Sequence, residues 1–199
     1  MQRHRLIDAY PRSVHVGKDV YRFHAPFDTV LFVLSLLDDD SMLPEHRIAL
    51  CCRMLFGFRL WSRRRQTAAL SAFMDLLNGS GSGKQHEPVM DFDQDAALIR
   101  SGFLQQYGID LDAHRGKMSW FRFMELVGGL TEDTAFGKVC ELRSRPIPAP
   151  NKYNQEERAK LILAKQRVAI RKKHSEADLM KQFAALADRM IEKAGGGSV

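Results

Sequence analysis

The stretch DFDQDAALIRSGFLQQYGIDLDAHRGKMSWFRFMELVGGLTEDTAFGKVCELRS, Asp91 to Ser144, decides the fold. Asp91 is placed to cap a helix, and Gln94 three residues on completes a capping box. Ile99, Phe103 and Tyr107 then recur at helical spacing until Gly108 supplies a stop. The next apolar run, Trp120, Phe121, Phe123, Met124, Leu126 and Val127, is too dense for a one-sided surface helix. It is expected to cross the core until Gly128 and Gly129 end it. Thr131 reads as the cap of a third helix, with Glu132 and Asp133 in its first turn, Arg143 and Arg145 at its end, and Pro146 closing it. Three punctuated helices in one run predict a mainly α protein.

Upstream, Ser13 to Val16 and Val20 to Phe23 alternate around Gly17-Lys18-Asp19, the pattern of a β-hairpin with a three-residue loop. Two strands cannot stand alone, so the hairpin must pack on the helices that follow. The first helix spans Phe27 to about Leu37, where Val30, Leu31, Val33, Leu34 and Leu37 make nearly every side apolar. A second begins at Pro44, a residue suited to the first helical position, and continues through Ile48, Leu50, Cys51, Met54 and Leu55 to about Phe56. A third runs from about Gln66 to Leu77 with Leu70, Phe73, Met74 and Leu77 on one face. NGSGSGKQHEP follows. It fails as a phosphate loop, because Asn78 stands where the first glycine is needed, Gln85 replaces the hydroxyl residue and no strand leads in. Residues 78–87 therefore read as a flexible Gly/Ser loop inside one helical core domain, residues 1–145.

Downstream the chain changes character. Pro146, Pro148 and Pro150 forbid helix and make residues 146–153 a stiff, Pro-rich linker. Residues 154–193 read as a basic amphipathic helical extension: Asn154 caps it, Gln155, Glu156 and Glu157 fill the first turn, and Leu161, Ala164, Val168 and Arg171 continue it. Near HSEAD, Ser175 can cap afresh with Asp178 at the third position, and the second piece aligns Leu179, Phe183, Leu186 and Met190 on one stripe. Residues 194–199 read as a flexible tail. The stripe is a candidate partner-binding surface and the basis for expecting self-association. It fits a partner helix, a second copy, the core of its own chain or a membrane surface; the polar excess of residues 155–175 argues against the membrane.

A second candidate surface is FRLWSRRR, where Phe58, Leu60 and Trp61 stand beside Arg59, Arg63, Arg64 and Arg65. The mixture suits phosphate contact and base stacking, and equally a loop anchored on the core whose arginines cover an acidic partner. Net charge is +6, and Arg171 to Lys173 add a second basic patch, but acidic clusters at Asp38 to Asp40 and at Asp91, Asp93 and Asp95 break up the field. No nucleic-acid fold is recognisable, which favours protein contact at Trp61 and Arg63 to Arg65.

Catalytic and metal chemistry find no pattern. Cys51, Cys52 and Cys140 form neither a paired disulfide framework nor a zinc motif and read as buried small apolar residues. The seven histidines are scattered, Asp38 to Asp40 lack a further ligand at useful spacing, and no nucleophile elbow or cofactor fingerprint occurs. The expectation is no enzyme, no cofactor and no metal. No run approaches the roughly 18 apolar residues of a membrane span, and MQRHRLIDAYPRS lacks the apolar centre of a secretory signal, so cytoplasm is expected.

Several runs occur in a telling order: YPRSV (Tyr10 to Val14) before the hairpin, an acidic-aromatic opening into FLQQYGIDL (Phe103 to Leu111), a tryptophan helix at Trp120 to Phe123, the GL-x-x-DT-x-FGK turn at Gly129 to Lys138, and Arg143-Ser144. In these the chain resembles the bacteriophage Gp15 protein family of phages with long non-contractile tails, over residues 10 to about 150. Ser119 stands where the resemblance places a second tryptophan, and the C-terminal quarter is unmatched. The resemblance implies a tail assembly chaperone in the host cytoplasm that binds the tape measure protein and keeps it soluble before the tail tube polymerises. The major tail tube protein is a further implied partner. The alternatives are a structural tail component of the virion and a basic nucleic-acid-binding protein.

Overall fold

Gly17 sets the register of the N-terminal hairpin. In the computed structural model, which describes residues 8–39, 41–78 and 89–171, β1 (Ser13–Val16) pairs antiparallel with β2 (Asp19–Arg22), Ser13 opposite Arg22 and Val16 opposite Asp19. The loop is Gly17-Lys18, two residues where three were expected. Gly17 adopts φ 62°, the positive value that a two-residue turn needs at its first position, so Asp19 joins the strand. Val14 and Tyr21, directly opposed, are both buried.

Seven α-helices follow among the described residues: α1 (Phe27–Leu37), α2 (Pro44–Phe56), α3 (Arg63–Asn78), α4 (Ala96–Tyr107), α5 (Trp120–Gly128), α6 (Ala135–Ser144) and α7 (Gln155–Val168), with a 3-10 turn at Asp112–His114. The fold is mainly α with an N-terminal hairpin, as expected. α1 and α2 occupy the expected spans, with Pro44 in the first turn of α2. α1 is less buried than its composition suggests: Phe27, Val30, Val33 and Leu36 form the inner stripe, while Phe32 faces solvent. α3 begins at Arg63, three residues before the expected Gln66. Arginine is a good helix former, and Gln66 already donates its N–H to the Ser62 carbonyl.

Two caps differ from the expectation. Asp91 caps a turn ahead of α4, its Oδ1 accepting from the N–H groups of Asp93 and Gln94, and the helix itself starts at Ala96. Asp95, not Gln94, reaches back to the Asp91 N–H, at 2.9 Å. α6 is capped by Thr134 rather than Thr131: the Thr134 hydroxyl accepts from the Gly137 N–H at 3.0 Å, which leaves Glu132 and Asp133 in the preceding turn. Gly108 ends α4 in the left-handed region, φ 65°, as expected.

Residues 23–27 are the seam of the core. His24 donates its N–H to Leu55 of α2, Trp120 donates to Ala25, and Phe27 donates to Met118. Across this seam, Phe27 stacks on Phe123 of α5 at 4.8 Å between centroids, and Phe123 stacks on Phe103 of α4 at 5.5 Å. Phe73, Phe103 and Phe123 are almost completely buried. Truncating one such ring costs roughly 3–5 kcal/mol.

α7 lies against α6. Lys165 Nζ donates to the carbonyls of Arg143 and Arg145, and Arg143 Nε donates to the Val168 carbonyl at 2.6 Å. The helix ends at Val168, short of Arg171, because Ala169 leaves helical geometry (ψ 140°) and Gln94 pairs with the Ala169 carbonyl and the Arg171 N–H. Asn154 makes no side-chain cap; its amide instead bonds the Asn151 N–H and the Ala149 carbonyl. The Gly/Ser loop beyond Asn78, the helical piece after Ser175, the stripe Leu179, Phe183, Leu186 and Met190, and the tail 194–199 lie outside the described residues.

Candidate partner-binding surface

The runs that carry the resemblance tie helices together. On α4, Gln106 donates to the Gly129 carbonyl and accepts from the Thr131 N–H, Gln105 donates to the Asp133 carbonyl, and the Tyr107 hydroxyl donates to the Leu126 carbonyl. FLQQYG is thus a clamp on the α5–α6 turn. Gly137 allows the turn to close: a Cβ there would lie 2.1 Å from the Thr131 carbonyl oxygen. Ser119, in the place of the second tryptophan, caps α5 by accepting from the Arg122 N–H.

One contact escaped the sequence reading. Arg143, read there as a helix-dipole partner, forms a buried bidentate pair with Asp95, and its Nη1 also donates to the Val89 carbonyl. Burial opposes ionisation of Asp95, yet the Arg143 hydrogen bonds, the Asp91 N–H and the arginine charge together outweigh it and hold the carboxyl below its usual range. The signal was present in the sequence, since Asp95 precedes Ile99 and Phe103 by four and eight residues on the same buried face.

The thiols of Cys51 and Cys52 are pushed up to about 11 by burial, and burial raises Cys140 as well, so all three stay protonated at neutral pH. Asp39 accepts from both the N–H and the hydroxyl of Ser41. Among the described residues, no group of three His, Cys, Asp or Glu side chains is placed to hold a metal ion. Among them, too, no helix is long and apolar enough to cross a membrane.

A cleft of about 880 Å³ opens between residues 8–12, the seam and α5. Tyr10 stacks on Phe121 and donates to Glu125, and this hydrogen bond, with some burial, raises the pKa of the tyrosine. Its volume would admit a peptide or small ligand. The cleft is of mixed charge, lined by Arg12, Lys117 and Arg122 together with Asp8 and Glu125.

The connection between α2 and α3 is different. Trp61 turns inward, packing on Tyr21 at 4.7 Å and on Phe56 at 5.4 Å, and anchors the segment to the hairpin and α2. This anchor leaves its neighbours outside: Phe58 is 77% exposed and Leu60 94% exposed. Arg53 lies over the Phe58 ring and Arg59 over Trp61. Arg63, Arg64 and Arg65 form the exposed first turn of α3, where the helix dipole disfavours positive charge, and only Arg63 has an ion-pair partner among the described residues, Glu45 of α2. Leu43, two residues before Glu45, is 61% exposed. The structure therefore gathers Arg63 to Arg65 beside Trp61. Phe58, Leu60 and Arg59 of the same stretch stand beside them, and Arg53 of α2 joins from outside FRLWSRRR.

No curated protein and no solved structure matches the chain. A family model described as bacteriophage Gp15 protein matches residues 6–170, which extends past the resemblance read from sequence and takes in the linker and α7. With most of its length inside that match, the chain belongs to the bacteriophage Gp15 protein family.

Proposed function

We propose that this protein is a tail assembly chaperone, acting in the host cytoplasm to bind the tape measure protein and keep it soluble until the tail tube polymerises. The observation that supports the reading best is the exposed Phe58 and Leu60 set among arginines on a Trp61-anchored connection, in a family of bacteriophage proteins. Exposed apolar side chains concentrated beside one charge sign suit protein recognition. A long apolar client needs such cover, since uncovered patches aggregate before the assembling subunits arrive. The reading requires no catalytic step and no cofactor. Self-association through the stripe Leu179, Phe183, Leu186 and Met190, and contact with the major tail tube protein, are parts of the same proposal.

A chaperone departs when the tube closes. The protein should be abundant in infected cells and missing from purified particles by mass spectrometry. Stoichiometric presence in particles would instead make it a structural tail component.

A further inference from the structure

The α2–α3 connection has a chemistry that specifies its occupant. Five arginines fall between positions 53 and 65, Arg53, Arg59, Arg63, Arg64 and Arg65, and no aspartate or glutamate lies among them. Glu45 reaches Arg63 alone, so among the described residues Arg64 and Arg65 point no charge at a carboxylate. Phe58 and Leu60 stand outside the core between these cations, and Trp61, wedged against Tyr21 and Phe56, fixes the segment that carries them.

We propose that this surface docks an acidic amphipathic segment of a partner protein, its apolar side chains covering Phe58 and Leu60 and its carboxylates meeting Arg53, Arg59, Arg64 and Arg65. The inference rests on the chaperone reading for the identity of the client, the tape measure protein, and adds the chemistry by which one of its segments is chosen. Charge complementarity sets the sign of the partner, because five arginines, of which Arg63 alone is ion-paired to a described carboxylate, Glu45, repel basic chains and attract acidic ones. Leu60 sets its class. An aliphatic side chain 94% exposed gains nothing from a phosphate backbone and offers no ring for a base to stack on, whereas it gains by burial against apolar protein side chains. Guanidinium groups pair bidentately with carboxylates, so the arginines fix the register of a segment that the apolar contacts hold.

The test uses the full chain and two surface variants, Phe58→Ser/Leu60→Ser and Arg64→Glu/Arg65→Glu, each first checked for an unchanged thermal melt. The probes are a short fluorescent peptide with Leu and Phe at helical spacing and Glu elsewhere, the same peptide with Lys replacing every Glu, and a single-stranded oligothymidylate. The expected result is that the Glu peptide binds about tenfold or more tighter than the Lys peptide, and that each variant loses about tenfold or more of that affinity. Binding should also weaken as salt is raised. Equal binding of both peptides, or none of the Glu peptide, overturns the proposal. Tighter binding of the oligonucleotide, sensitive to the arginine variant and indifferent to Phe58→Ser/Leu60→Ser, overturns it in favour of nucleic acid. In parallel, both variants are co-expressed with the tape measure protein. If they still form the complex, the docking site is wrong and the chaperone reading stands; if even the unaltered chain forms none, the chaperone reading fails while the peptide titration judges the surface.

Discussion

Arg143 of α6 closes two hydrogen bonds on Asp95 at the start of α4, Nη2 to Oδ1 at 2.9 Å and Nη1 to Oδ2 at 2.5 Å, with both side chains almost entirely out of water. The same guanidinium holds the carbonyls of Val89 and Val168, so one side chain joins the segment before α4, α6 and the end of α7. Removing either partner strands a buried charge. Asp95→Ala should cost about 3–5 kcal/mol in denaturant unfolding, and Asp95→Leu/Arg143→Met should recover part of that loss.

The pair also predicts an acid limb. Asp95 has a folded pKa below its unfolded value, so its contribution is complete above the ordinary carboxylate range near about 4 and is lost as pH falls through the lower folded value. Thermal melts should therefore decline below about pH 4, and the decline should be shallower in Asp95→Asn.

Gly137→Ala should destabilise by about 1–3 kcal/mol or more, because the added Cβ meets the Thr131 carbonyl at 2.1 Å and the neighbour is backbone, with no rotamer to yield. Gly128→Ala, with nothing within 4 Å of the added atom, is the control and should be neutral or slightly stabilising. Chemical denaturation of the two variants separates close approach from general loss of glycine.

Cys51 and Cys52, buried and raised to about 11, should resist iodoacetamide at neutral pH in the native protein and react readily once unfolded. Mass spectrometry of the alkylated protein reads both states. Fast native labelling would contradict the packing around α2.

Lys165→Met should speed amide exchange in α7 and leave α4 to α6 protected, since Lys165 supplies two of the bonds that hold this helix and no residue of α7 is buried. Equal acceleration throughout would show that α7 and the core open as one unit.

The helices themselves were legible, because apolar spacing, Pro44, Gly108 and Pro146 state them locally. Their starts were less so. Thr131 and Thr134 both satisfy the rules for a cap, but the Thr131 hydroxyl and N–H both donate to Gln106, 25 residues away in sequence, while the Thr134 hydroxyl caps α6. The hairpin slipped by one residue for a local reason, the positive φ of Gly17. Arg143 looked like a dipole partner because its carboxylate is 48 residues distant, although Asp95 on the Ile99 and Phe103 face was a visible clue. At the candidate surface, composition showed aromatics beside arginines. It could not show which of Phe58, Leu60 and Trp61 turns inward, because that depends on Tyr21 of the hairpin and Phe56 of α2.

The most direct test of the account is co-expression of the full chain with the tape measure protein of its phage, followed by size-exclusion chromatography. A tail assembly chaperone should give a soluble tape measure protein that co-elutes with this chain, whereas the tape measure protein expressed alone should precipitate. A tape measure protein that remains insoluble beside a free, folded chain would contradict the chaperone reading.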